Sequence, residues 1–172
     1  MTQATDFIAA LTARAPKGSQ ALITRGAPYF WRCLPTASLS CFRADEGAYI
    51  NVSAFSGLQA NQDHFVALLA LMVDDVGQKG AKPPIHPSAI IETSPDNEQW
   101  WYFLEEPVTD LPKATALTAA VTDRYGDKGA RNATRWGRLP GFANLKPAYS
   151  PNYRTAVVEL DPTRNFVVST LS

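Results

Sequence analysis

The chain has 172 residues and 45% hydrophobic content, enough for one sizeable core and typical of one domain. Lys+Arg and Asp+Glu balance at 16 each, for a formal net charge of zero, which excludes a globally basic nucleic-acid coat and confines any nucleic-acid contact to a local patch. No apolar run approaches the roughly 20 residues of a membrane span, and the opening Met-Thr-Gln-Ala-Thr-Asp has no signal-peptide pattern, so no membrane partner and a cytoplasmic location are expected.

In chain order, Thr5 or Asp6 caps a first helix whose apolar residues Phe7, Ile8, Leu11 and Ala15 recur at helical spacing until Pro16-Lys17-Gly18 stops it. Strands are expected at Gln20–Thr24, Tyr29–Leu34, Leu39–Arg43 and Ala48–Ala54, forming an antiparallel meander punctuated by Gly, Pro and Asp turns. Cys33 and Cys41 lack a C-x-x-C pattern and matching histidines, which favours reduced structural thiols over zinc ligands or a disulfide. The run Phe65–Val73 is apolar at every position and fits a buried strand or a buried helix segment. Its end in Asp74-Asp75, then Val76-Gly77, favours a central strand for at least the second half.

A basic loop from Gln78 to Pro84 leads to strand Ala89–Glu92, and Gln99–Leu104 is its partner across the turn Ser94-Pro95-Asp96-Asn97. Thr109 or Asp110 opens a helix that runs through Ala114–Tyr125. From Arg131 to Asn152 the chain is rich in Arg, Gly, Pro and aromatics with little periodicity, which marks a functional loop on a fixed path. Thr155–Leu160 and Phe166–Leu171 are expected as final strands.

Three constellations carry chemistry. Asp74-Asp75 at the end of an apolar strand is either a solvated terminus or a site for a hard divalent cation, since buried carboxylates need a partner. Neighbours on a regular strand face opposite ways, so both can serve one site only if the strand bends or ends there, as Gly77 permits. Glu92 to Trp101 is either a polar turn backed by a Trp pair or a hairpin whose hydroxyls and amides grip phosphate. Arg131 to Pro147 interleaves Arg131, Arg135, Arg138 and Lys146 with Trp136 and Phe142, near Tyr149. It is either a solvated basic loop or a surface for triphosphate and single-stranded DNA.

Taken in order, these segments resemble the archaeo-eukaryotic primase (AEP) superfamily, most closely its RepB-like plasmid and phage primase-polymerase branch. The likeness spans roughly Ala48 to Tyr149 and is most specific in Arg138-Leu-Pro-Gly-Phe-Ala-Asn144-Leu-Lys146-Pro147. It implies an α+β fold: an RRM-like antiparallel catalytic sheet with flanking helices, packed on a second small α/β unit, with the active-site cleft between them. By the same likeness Asp74 and Asp75 are catalytic and bind Mg²⁺ or Mn²⁺, while Thr93, Ser94, Gln99, Arg135, Arg138 and Lys146 bind nucleotide. The family often has His where Gln99 falls. Its third metal-binding carboxylate falls at Asn132, which by the likeness is the third metal ligand through an amide oxygen that adds no charge; Asp123 or Asp127 are the available substitutes.

The implied activity is the joining of nucleoside triphosphates on a single-stranded DNA template, in company with a replicative helicase or helicase domain in a bacterial host. Residues 1–172 are then a single domain, the N-terminal module of a longer replication protein. The alternative is a noncatalytic replication module that binds single-stranded DNA or nucleotide, a reading that Asn132 supports. His64 and His86 stand apart from any nucleophile motif, and the chain has no Walker glycine loop, so neither hydrolase nor motor chemistry is expected.

Overall fold

The computed structural model describes residues 2–26, 32–126, 128–129, 131–149 and 153–171. The elements in chain order are α1 (Thr2–Thr12), β1 (Gln20–Arg25), β2 (Leu34–Pro35), β3 (Ala48–Phe55), β4 (Phe65–Val73), β5 (Ala89–Ser94), β6 (Asn97–Val108), α2 (Leu111–Tyr125), β7 (Trp136–Arg138), β8 (Ala156–Leu160) and α3 (Val168–Leu171). The strands join in one antiparallel sheet ordered β2-β1-β3-β4-β6-β5-β8, with β7 paired to β3. The fold is thus mixed α/β with an antiparallel sheet, as the sequence leads one to expect.

The uninterrupted apolar run of β4 is explained by burial on both faces. Successive strand residues alternate faces. Leu71 and Val73, with Tyr102 of β6, line a cavity under Val121 and Tyr125 of α2. Met72 and Trp101 point the other way, toward α1, where Phe7 meets the Trp101 ring edge-on at 5.0 Å and 80°. Phe7 is fully buried, and an aromatic pair of this geometry contributes about 0.5–1.5 kcal/mol beyond its area. α2 is set by an Asp110 cap, whose carboxylate accepts from Lys113 N at 2.7 Å, and by Pro112 in its first turn.

Three expected elements differ. Tyr29, Phe30 and Trp31 of the expected Tyr29–Leu34 lie outside the described residues, and of the rest only Leu34, with Pro35, is seen as strand. Leu39–Cys41 is instead the end of a 3-10 helix, Thr36–Cys41, and Phe42 and Arg43 follow it outside any strand: its Thr and Ser residues after Pro35 favour local turns, and Leu39 and Phe42 still reach the core. Phe166–Leu171 gives a single bridge and then a helical turn. β6 outruns β5 beyond Trp101, and Phe166 takes up the two backbone groups so exposed, accepting from Glu105 N and donating to Phe103 O. Cys33 and Cys41 are free thiols.

One irregularity positions everything that follows. β3 pairs with β4 only through Ser53, Ala54 and Phe55, and its other half, Tyr49 to Asn51, pairs with β7. The C-terminal end of β4 therefore leaves β3, and β7 fills the gap. Gly137 lets it do so: a Cβ there would collide with Trp101 Cζ2 and lie 2.5 Å from the Met72 sulfur.

Candidate nucleotide and metal cleft

A cleft of about 190 Å³ opens where β4 parts from β3. It is lined by Tyr49, Asp74, Asp75, Lys79, Thr93, Asn97, Gln99, Trp136, Arg138 and Lys146. All three constellations of the sequence meet here. Asp74 and Asp75 come from the end of β4, Thr93, Asn97 and Gln99 from the β5–β6 hairpin, and Arg138 and Lys146 from β7 and the loop after it.

The two aspartates share one side because β4 stops at Val73. Asp75 takes the left-handed conformation, φ 54°, and Gly77 follows at φ 74°. The turn is held by Asp75 O, which accepts from Gln78 N at 2.9 Å, and by Val76 N, which donates to Glu98 O of β6 at 3.2 Å. Asp74 Oδ1 accepts from Asp75 N and from Gln99 Nε2, both at 3.1 Å. Asp75 Oδ1 accepts from Asn97 Nδ2 at 2.7 Å, and its Oδ2 lies 2.7 Å from Lys79 Nζ.

Burial raises the proton affinity of Asp75. Hydrogen bonds from Lys79 and Asn97, together with the charges of Lys79 and Lys146, outweigh that effect and hold the carboxyl below its ordinary value.

Gln99 is buried and oriented at both ends: its Oε1 accepts from Arg138 N at 3.0 Å while its Nε2 serves Asp74. It thereby ties the acidic strand end to the basic segment. Arg138 places its guanidinium 5.0 Å from the Tyr49 ring centroid, a cation–π contact across the β3–β7 pair. Asn144, also buried, donates from Nδ2 to Thr93 O at 2.6 Å and accepts from Lys146 N at 3.1 Å, so the basic segment is stapled to β5. Further backbone bonds, Leu139 N to Ala48 O and Gly141 N to Thr155 O, give that segment the fixed path its Gly and Pro content suggests.

Three expected site residues lie outside the cleft lining. Arg135 is buried behind it and donates from Nη1 to Met72 O at 3.0 Å and to Thr122 Oγ1 at 3.2 Å, clamping β4 to α2 at a carbonyl that β3 does not reach. Asn132 is exposed, and its Oδ1 accepts from Thr134 N at 3.1 Å. Ser94 is buried at the hairpin end. Of the substitute carboxylates, Asp123 pairs with Arg131 at 2.5 Å, and Asp127 lies outside the described residues.

Conversely, Lys79 lines the cleft without having been singled out for it; Asn97 and Trp136 line it from the hairpin and basic segments, and Tyr49 joins through a pairing with Arg138 that sequence alone does not give. The spacing of Lys79 from Asp75 is the one signal that reading the sequence could have used.

The donor set suits a hard divalent cation in part. Two carboxylates face one cleft, and that of Asp75 already holds a cation, the Lys79 ammonium. Among the described residues no group of three or more His, Cys, Asp and Glu side chains is placed to hold a metal. Two carboxylates with water and phosphate oxygens are a usual set for Mg²⁺.

Fold and cleft together define a mixed α/β domain whose antiparallel sheet carries an acidic strand end opposite a basic, glycine- and proline-shaped segment. The family described as the RepB DNA-primase N-terminal domain matches residues 53–160, which include every cleft residue but Tyr49, and the chain belongs to this family. The AEP domain of the cyanophage S-2L primase-polymerase superposes with a TM-score of 0.72 at 17% identity, over 99% of this chain and 95% of that one. The catalytic domain of primase RepB′ in complex with initiator DNA gives 0.62 at 16% identity, over 98% and 91%. A further RepB′ structure gives 0.61 at 17%, over 98% of this chain and 60% of that one. No curated protein matches the chain.

Proposed function

We propose that the chain is a metal-dependent DNA primase-polymerase domain that joins nucleotides on a single-stranded template. The observation that carries this reading is the meeting of Asp74 and Asp75 with Arg138 and Lys146 in one cleft. Acid there suits a cation, and base suits the phosphates that accompany it. Bound between Asp74 and Asp75, Mg²⁺ or Mn²⁺ would activate a 3′-hydroxyl and neutralise charge on the triphosphate.

The chain's own residues do the rest. Arg138 presents a planar donor to phosphate oxygens while Tyr49 supports its far face, and Lys146 adds a point charge at the rim. Thr93 offers a hydroxyl beside Asn97. Gln99 acts by orientation: with both ends engaged, it holds the Asp74 carboxylate at a set distance from the Arg138 backbone. Attack of the 3′-hydroxyl on the α-phosphate, with pyrophosphate leaving, depends on positioning and charge neutralisation, and such a cleft supplies both. In this scheme Arg135 positions β4 rather than touching nucleotide.

DNA as template is supported by the RepB′ neighbour, whose structure contains initiator DNA. The family description, an N-terminal domain, supports residues 1–172 as one module of a longer replication protein. Work with a helicase in a bacterial host's cytoplasm is part of the same proposal. Among the described residues no helix is long and apolar enough to cross a membrane.

The test is primer synthesis and extension on single-stranded DNA with Mg²⁺ or Mn²⁺. The Asp74→Ala/Asp75→Ala variant is expected to lose incorporation by at least about 100-fold. Equal incorporation by wild type and variant would refute the assignment. A second reading, a noncatalytic DNA- or nucleotide-binding module, is favoured by the position of Asn132 and by the lack of a three-member acidic group among the described residues. Salt-sensitive binding of single strands without metal-dependent incorporation by wild type would select it.

A further inference from the structure

Each oxygen of Asp75 has a partner in this structure: Asn97 donates to one, and the Lys79 ammonium sits on the other at 2.7 Å. A divalent ion that ligates this carboxylate meets like charge from the Lys79 ammonium, so of the two partners Lys79 is the one it repels. Asn97 heads β6, in register with Ser94, and is held by the hairpin. Lys79 reaches Asp75 from a loop, on a flexible stem whose side chain is 50% exposed, so moving it aside costs less.

The loop itself is well placed. Lys79 N donates to Asp75 O at 3.3 Å, which sets the ammonium beside the carboxylate four residues earlier. The next residue, Gly80, lies so close to the end of α2 that a Cβ there would come within 2.7 Å of the Tyr125 carbonyl carbon. The backbone is therefore pinned, and the side chain extends from it to Asp75. The tip lines the same cleft as Arg138 and Lys146, where phosphate oxygens would receive it.

We infer that Lys79 is a resident counter-cation, which neutralises Asp75 in the metal-free protein and is exchanged for the divalent ion when that ion binds. This rests on the reading of Asp74 and Asp75 as metal ligands. It assigns Lys79 a role opposite in sign to that of an ordinary cleft cation: it competes with metal and lowers its apparent affinity.

The test is Mn²⁺ binding to the full chain without nucleotide, followed by titration calorimetry or water-proton relaxation, with Mn²⁺ alone as the probe. Lys79→Met is expected to bind Mn²⁺ about two- to fivefold more tightly than wild type, the range expected for losing a half-exposed competing ion pair. Lys79→Arg, which keeps the charge, is expected to stay close to wild type. If Lys79→Met binds Mn²⁺ no more tightly than wild type, while Asp74→Ala/Asp75→Ala abolishes binding, the exchange is wrong and the metal site stands. If the double aspartate variant binds Mn²⁺ as well as wild type and Lys79→Met do, both the exchange and the metal site fall.

Discussion

Asp75 shows how a single carboxylate reports on the whole cleft. Burial alone would raise its proton affinity, yet the hydrogen bonds from Lys79 and Asn97 and the positive charges of Lys79 and Lys146 prevail, so the carboxyl is held below its ordinary 3.8. A folded-state value below the unfolded one adds stability that is complete above the unfolded value and is lost as pH falls through the folded value. Wild type is therefore expected to melt above Asp75→Asn at neutral pH, with the gap closing below about pH 4. Melting temperature followed against pH for both proteins checks this, and a gap independent of pH would mean that Lys79 and Asn97 do not hold the carboxylate. Asp74 and Asp75 were legible in the sequence because two charges at the end of an apolar strand require a partner. Arg135 was not: an arginine in a basic segment looks the same whether it meets phosphate or, as here, a strand carbonyl and a helix hydroxyl.

At the scale of elements, the cleft exists because β3 changes partner from β4 to β7 halfway along its length. β7 can lie there only if nothing projects from Gly137 toward Trp101 and Met72. Trp101 is wholly buried and has no room to yield, so Gly137→Ala is expected to cost about 1–3 kcal/mol of unfolding free energy. It should also weaken nucleotide binding, because Arg138 follows directly. Gly47→Ala is the comparison, since its Cβ would meet Leu145 at an ordinary 3.5 Å, and it should be near neutral in the same urea titrations. Equal losses from the two would show that β7 has slack. The long periodic or uniformly apolar elements, α1, β4 and α2, could be read from sequence because burial pattern alone defines them. β7 could not: a strand of three residues has no period, and its register is set by β3 across more than eighty residues of chain. Phe166 misled for a related reason, since a strand pattern needs an open edge to pair with and only one bridge was left.

For the molecule as a whole, equal numbers of acidic and basic residues leave no global field to attract a polyanion, so any contact with DNA has to be local, and the proposed function places it at the cleft. Its basic side chains are Lys79, Arg138 and Lys146, and Lys79 is paired with Asp75. Each phosphate neutralised on a single strand adds about −0.7 to the slope of log K against log salt concentration. Single-stranded DNA binding without metal is therefore expected to show a slope no steeper than about −2. Arg138→Ala should flatten that slope by about 0.7, because one contact is lost with one counterion. Fluorescence anisotropy with a labelled oligonucleotide over a series of salt concentrations measures both. A slope near −4 or beyond would mean that the strand runs over cations elsewhere on the surface, and an unchanged slope in Arg138→Ala would remove the cleft from the DNA path while leaving its nucleotide role to be judged by incorporation alone.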